Sequence, residues 1–329
     1  MSIELNEISD WKNLKVPDVY FSYEYHLASA LLEPEGTRPV LLEWRGAGST
    51  IRLPLLLRPL AGDRWDATSC YGYGGPWAEG YVDATTIRRS LDEWASRRGV
   101  VCTFLRYHPC FRDQHSLIEA FDVLELNETV EWPISPTSDL LASMKKKHRQ
   151  YVRKSAREGL VTRTISNPPS LGEFETLYRD SMTRLNAREF YWFPDAYWDE
   201  LTRPGGCETL ISEVQYEGDT VASLLCLVGD ELLHAHLLGA NELGRERKAN
   251  YLAYYTAAVW AQNEGMKGFH LGGGHGPDGG ALLGWKRGFC PSADLKRFSI
   301  SKVVHDESAY SDLAGTDSTE GFFPPWRQV

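Results

Sequence analysis

The sequence has no apolar run approaching the ~18 residues that a membrane-spanning helix needs. Its first residues, MSIELNEISDWKNLK, carry acids where a secretory leader would have a basic region followed by a greasy one. Both absences lead to the expectation of a cytoplasmic protein without membrane insertion. Cysteine is sparse: Cys70, Cys102, Cys110, Cys207, Cys226 and Cys290 are scattered with no C-x-x-C pair, and four sit in apolar or aromatic stretches. That pattern reads as buried thiols and not as a disulfide or zinc framework. There is no GK[ST], so no P-loop, and no Ser-His-Asp, Cys-His or metal-ligand spacing stands out. Gly274-His275-Gly276-Pro277-Asp278-Gly279 matches G-x-G-x-x-G formally, but no βαβ unit with a ribose-binding acid follows, which excludes a dinucleotide site.

What is present is a globular composition: 329 residues, 42% hydrophobic and 24% charged, enough for two domains with separate cores. The net charge of −10 argues against a protein that coats nucleic acid indiscriminately. The charge is uneven, however. Residues 144–157 hold seven cations and no acid, leaving −17 for the remainder. A helix over roughly Ser138 to Glu158 would bury a stripe of Leu141, Met144, His148 and Val152 and turn Lys146, Arg149, Arg153 and Arg157 outward. Such a face is either merely solvated or a track for phosphates.

The chain repeats itself. Trp94-Ala95, then Gly99 and a strand ending at Leu105, align with Trp260-Ala261, Gly265 and a strand ending at Leu271 at an offset of 166. Gly62-Asp63 and Gly229-Asp230 align at 167, each closing an apolar strand. In the second half, helices over 138–158 and 171–186 precede a three-strand meander, ETLISEVQY, TVASLLCLV and ELLHAHLLGA. A helix over 250–264, a strand over 266–271, a glycine-rich loop, a short helix over 282–288 and a last strand, LKRFSIS, follow. The first half repeats the middle of this plan. The expected architecture is α+β, two tandem domains with mixed sheets: residues 1–130, then 131–303. The expected linker is 127–137, and the tail 304–329 carries enough aromatics to dock on the first domain.

This order, with LLHAHLLGAN, NYLAYYTAAVWAQNEGMKGFHLGGG and GWKRGF in the second half and YGYGGPW and FLRYHP in the first, resembles the GNAT N-acyltransferase fold. Two such units in one chain resemble the Fem-type aminoacyltransferases, over about residues 39–298. The resemblance implies transfer of an aminoacyl group from aminoacyl-tRNA to an amine acceptor, a cell-wall precursor or a peptide or amino-sugar product, with neither metal nor cofactor. Acyl-CoA users of the fold carry an R/Q-x-x-G-x-G/A loop that holds a pyrophosphate at a helix N-terminus. Here the matching stretch, Gly239 to Lys248, lacks it and contains two glutamates expected to repel a diphosphate. An acyl-CoA-dependent N-acyltransferase is the alternative; a noncatalytic tRNA- or nucleotide-sugar-binding protein is another.

Trp285-Lys286-Arg287-Gly288-Phe289 matches the family's aromatic-lysine text before a GF pair, which implies that Lys286 supports the oxyanion formed when the amine attacks the ester. Otherwise it is a surface lysine. The resemblance also implies an arginine near Arg188 that grips an acceptor anion; the other reading is an ion pair with Glu189 or Asp180. Tyr191, Trp192 and Trp285 are candidate cleft walls. His234 and His236 alternate on one strand and so share a face. His234 is then a candidate substrate contact, His236 a candidate base and Asp278 a further acid–base candidate. Gly273 and Gly274 either line the cleft or serve a turn. Lys146, Arg149, Arg153 and Arg157 are the implied tRNA track.

Overall fold

Leucine- and valine-rich runs closed by glycine turns form the strands, and the longer 3.6-period stretches form the helices that cover them. The computed structural model describes residues 4–46, 48–80, 84–111, 117, 120–274 and 279–328. The first elements are β1 (Glu4–Ile8), α1 (Tyr23–Ala30), β2 (Arg38–Gly46), β3 (Ser49–Pro59), β4 (Trp65–Thr68), β5 (Trp77–Glu79), α2 (Ala84–Arg98) and β6 (Val100–Arg106). Next come β7 (Val123–Pro133), α3 (Leu140–Ser143), α4 (Lys146–Arg157), β8 (Val161–Ser166), α5 (Gly172–Leu185) and α6 (Asp195–Leu201). The meander is β9 (Thr209–Tyr216), β10 (Asp219–Val228) and β11 (Leu232–Ala240). It is followed by α7 (Glu242–Glu246), α8 (Ala249–Asn263), β12 (Gly268–Gly273), α9 (Gly280–Arg287), β13 (Leu295–Val304) and α10 (Glu307–Ala314).

The chain divides into two compact units, residues 1–126 with 297–329, and residues 127–296. The divisions fall inside β7 and β13, not at 130/131 and 303/304, because each of these strands begins in one unit and ends in the other. In the first unit β1, β2, β3 and β4 pair antiparallel in that order, β5 adds to β3, and β4 runs parallel to β6. Residues 300–304 of β13 pair antiparallel with β6, so the strand LKRFSIS, which the sequence order assigns to the second half, completes the first sheet. Val40, Leu42, Leu53, Leu55, Ile51 and Trp94 fill its core. The tail packs in this unit too: Tyr310 and Phe323 bury against Val101 and Cys102.

In the second unit β8, β9, β10 and β11 pair antiparallel, β11 runs parallel to β12, and β12 pairs with β7. Residues 127–133 are therefore a strand and not a linker; Val130 and Trp132 bury their side chains and supply a sheet edge partner to β12. The alanine-rich face of α8 (Ala249, Ala253, Ala257, Ala261) lies on the sheet. Small side chains let the helix come close. The repeat is visible in both units as a strand, a helix carrying Trp94 or Trp260, and a parallel strand, with Gly99 (φ +69°) and Gly265 (φ +73°) ending the helices in the left-handed conformation. All six cysteines are reduced, none of them in a disulfide. No helix among the described residues is long and apolar enough to cross a membrane.

The expected helix over 138–158 is broken. Met144 and Lys145 are extended (ψ 157° and 146°), separating α3 from α4, and the backbone N–H of Lys145 donates instead to the carbonyl of Gly288 at 2.8 Å. Tertiary pairing outweighs helical continuity here.

Candidate active site

The site of the second unit starts with a parting of strands. β11 and β12 pair only through Leu232 with Gly268, Leu233 with Phe269 and His234 with His270, after which no partner of one lies on the other among the described residues. One cause lies in β11 itself: against β10, Leu225 pairs with Leu237 and Cys226 with Ala235, so His236 is an extra residue. This is a β-bulge, which bends and twists its strand. It also interrupts the alternation from which His234 and His236 were expected to share a face.

A cleft of about 540 Å³ opens on this unit, with Leu238 and Ala240 of β11 in its wall. Four cations line it: Lys147 from α4, Arg184 from α5, Arg245 from α7 and Lys248 at the start of α8. No carboxylate is among its described lining residues, in a chain of net charge −10. The Tyr151 ring has Lys147 Nζ 5.7 Å and Lys248 Nζ 6.0 Å from its centre, while Tyr251 and Trp285 add further ring surface. Lys248 sits at φ +60°, a conformation unusual for a side-chain-bearing residue, and gives α8 no side-chain cap. The first N–H groups of α8 therefore add a partial positive charge beside the cleft. Glu242 and Glu246, expected to repel a diphosphate, are exposed and do not line it. The stretch is electropositive where the linear text reads as mixed.

Lys286 lies on α9 next to Trp285. Its Nζ donates to the carbonyl of Gly273 at the end of β12, 2.7 Å away, and burial lowers its pKa to about 8. It is not a loose surface lysine. Gly273 thus supplies an acceptor for the lysine, and Gly274 serves a turn: a Cβ there would lie 1.7 Å from the carbonyl oxygen of Gly279. Asp278 lies outside the described residues.

His236 has its Nε2 2.7 Å from the hydroxyl of Tyr197, and burial, with His234 nearby, lowers its pKa to about 3. It is neutral at physiological pH and a weak base. His234 is fully buried, with Nδ1 3.4 Å from Nδ1 of His270, whose Nε2 is 3.0 Å from Thr129 Oγ1. A buried polar chain of this kind fixes the strands where they part, and it leaves no exposed surface on His234 for a direct substrate contact.

Arg188 is exposed, and neither Glu189 nor Asp180 pairs with it. Its loop is held firmly: Tyr178 Oη donates to the carbonyl of Tyr191 at 2.9 Å, and Trp192 Nε1 to that of Ala187 at 3.3 Å. Trp192 stays 39% exposed and Phe190 57%. Of the four expected tRNA contacts, Lys146, Arg153 and Arg157 are exposed. Arg149 is half-buried and spends Nη1 on the carbonyls of Ala142 (3.0 Å) and Met144, capping α3, while Arg157 Nε donates to the carbonyl of Arg153 at 3.3 Å. The helix break creates the carbonyls that occupy Arg149. Sequence reasoning passed over Arg184, Arg245 and Lys248, and placed Lys147 outside the track; the run Arg245-Glu246-Arg247-Lys248 just before a long helix was the available signal.

Residues 142–287 match the family model described as an acetyltransferase (GNAT) domain. That match lies within the second unit and gives it a GNAT domain, the fold of N-acyltransferases. Solved structures show the same fold in tandem form. FemX is 14% identical, with a TM-score of 0.63 over 86% of this chain and 92% of that one. A tandem GNAT protein from the clavulanic acid biosynthesis pathway is 11% identical, with a TM-score of 0.54 over 92% and 99%. The C-terminal domain of a putative lysylphosphatidylglycerol synthetase from Agrobacterium fabrum is 15% identical, with a TM-score of 0.52 over 86% and 88%. No curated protein matches the chain. The GNAT match contains the parted strands, the cationic cleft and Lys286.

Proposed function

We propose that this acyltransferase moves an aminoacyl group from aminoacyl-tRNA to an amine acceptor in the cytoplasm, forming an amide bond. The observation that carries the reading is the cleft beside β11: four cations and no acid among its described lining residues suit a phosphate-bearing donor, and its aromatic rings suit unpaired bases. Likeness in fold to FemX and to a lysylphosphatidylglycerol synthetase domain supports aminoacyl transfer. The missing R/Q-x-x-G-x-G/A loop weighs against acyl-CoA.

In this reading the neutral amine attacks the ester carbonyl, the C–N bond forms and the C–O bond to ribose breaks. The amine's proton leaves with the ribose oxygen. Lys286, cationic below about pH 8, donates to the carbonyl oxygen as negative charge grows on it, a contribution of roughly 3 kcal/mol for one well-placed donor. Arg188, with no ion pair among the described residues, and the hydrogen-bonded Tyr191–Trp192 loop would receive the acceptor.

A second reading, an acyl-CoA donor, is favoured by one observation: the uncapped start of α8 at the cleft could hold a pyrophosphate. One assay separates them. The protein is incubated with bulk tRNA charged with radiolabelled amino acids and, in parallel, with labelled acetyl-CoA, each with a panel of amino-sugar and peptide amines. Protein-dependent consumption of charged tRNA is expected; consumption of acetyl-CoA alone would replace the first reading by the second.

A further inference from the structure

His148 sits on the basic helix α4, only 6% exposed, between three elements of the second unit. Its Nε2 is 2.9 Å from the carbonyl of Trp285, so in the neutral ring Nε2 carries the hydrogen and donates it. Nδ1 is buried and has no hydrogen-bond partner among the described residues. The ring packs edge-on against Tyr251 of α8 (centres 4.8 Å apart) and Phe289 just past α9 (4.9 Å). The fit is close enough to dictate a neighbour: a Cβ on Gly288 would stand 2.0 Å from the imidazole.

These interactions converge on the last turn of α9, where a helix presents unsatisfied carbonyls. The carbonyl of Trp285 takes the N–H of Gly288 at 2.9 Å and the imidazole of His148. The carbonyl of Gly288 takes the N–H of Lys145, and the hydroxyl of Ser143 lies 3.4 Å from the carbonyl of Phe289. The α3–α4 break is therefore strapped to the end of the helix that holds Lys286. Lys147, next to His148, lines the cleft, and Lys286, next to Trp285, reaches Gly273. One imidazole links the two.

We infer that His148 is a positioning residue for Lys286, fixing the last turn of α9 so that the ammonium is held at the end of β12, and that it does so through its hydrogen bond to the Trp285 carbonyl. A neutral imidazole suits the task because Trp285 O, already holding the Gly288 N–H, has room for one further donor, and no acid among the described residues pairs with the ring. Burial and the neighbouring Lys145 and Lys147 all favour that uncharged form. This inference rests on the proposed role of Lys286, but it concerns the lysine's placement, which is measurable without any substrate.

The test is the titration of Lys286 in full-length protein labelled with ε-¹³C-lysine, its signal assigned by its loss in Lys286→Met. In the wild type it should titrate near 8. His148→Phe keeps a flat ring between Tyr251 and Phe289 but removes the donor. Release of the last turn would let water reach the ammonium and move the titration up by a pH unit or more, toward the ordinary lysine value. His148→Gln restores an N–H at nearly the position of Nε2 and should return the value to that of the wild type. Should the Phe variant not fold, His148→Asn, whose amide is too short to reach Trp285, replaces it with the same expectation.

In acyl transfer, loss of the bond should slow turnover about ten- to a hundredfold, as a misplaced catalytic group does, with donor affinity unchanged. In the Lys286→Met background the same change should have little further effect. An unshifted Lys286 titration in the Phe or Asn variant overturns the positioning role. Normal turnover of Lys286→Met would instead overturn the proposed role of the lysine, so the two failures are distinguishable.

Discussion

Both units contain a strand, a helix carrying a tryptophan and a parallel strand, yet they use that motif in opposite ways. In the first, β4 and β6 stay together: Trp65, Ala67 and Thr68 pair with Val100, Thr103 and Phe104, and beyond them Gly74 still bridges Tyr107 in the same sense. Asp66 of β4 is fully buried and already engaged by Arg58, by Arg327 Nε at 2.9 Å and by Trp326 Nε1 at 2.8 Å from the tail. In the second unit the equivalent strands part after three pairs, and a cleft with β11 in its wall is lined by four cations and no acid among the described residues. The difference teaches that topology does not make the site. The β4–β6 pair has a register shift of its own, so it is the uncompensated charge set that sets the second unit apart.

If the first unit serves stability and the second serves transfer, damage to each should be read by different measurements. The largest effect is expected from Asp66→Asn, which leaves the buried Arg58 with only the half-buried Glu33 and takes the acid from Arg327 as well. About 3–5 kcal/mol of stability should be lost, seen as a lower urea midpoint, while the surviving folded fraction binds charged tRNA as before. A parallel loss of donor affinity would break the comparison.

Lys286→Met should slow transfer by roughly 10²–10³ with stability and donor binding retained. The pH profile carries the sign: the lysine's pKa is lowered to about 8, so the active ammonium is present below that value and the rate falls as pH rises through it. A rate still climbing well above pH 9 would exclude an ammonium in this role.

Removing the cleft charges, Lys147→Ala with Lys248→Ala, should weaken donor binding and flatten its salt dependence by about 0.7 in log-log slope for each single-strand phosphate that is no longer neutralised. An unchanged slope would leave the cleft without its phosphate ligand. The smallest effect belongs to Arg149→Ala. Because that guanidinium caps α3, its removal should cost about 1 kcal/mol of stability and leave the salt slope alone, unlike the cleft lysines. A fall in slope equal to theirs would restore Arg149 to the phosphate track.

Much of this is legible in the linear text. The meander is written in alternating apolar runs with Glu217-Gly218-Asp219 and Gly229-Asp230 between them, and the repeat in Trp94-Gly99 and Trp260-Gly265, because a left-handed stop after a helix demands glycine. Lys286 stands out through the text Trp-Lys-Arg-Gly-Phe. Arg149 does not, because periodicity gives the direction of a side chain but not the carbonyls freed by a break in its helix: at Met144–Lys145 the N–H of Lys145 turns to the carbonyl of Gly288, at the end of a helix far along the chain. Arg245 and Lys248 escape notice for a related reason. Alternating charges look neutral in a window, and only the helix start decides which of them face the cleft.

The sequence by itself determined the α+β class, the doubled plan and the residue types available to the site, since these follow from local periodicity and from glycine's conformational freedom. Only the tertiary packing makes residues 127–133 a strand, has β13 close the first sheet, parts β11 from β12 and holds the half-buried Lys286 against Gly273. Those outcomes depend on which backbone groups far apart in the chain satisfy one another, and on how much water is left around a charge. Neither quantity exists until the elements are packed.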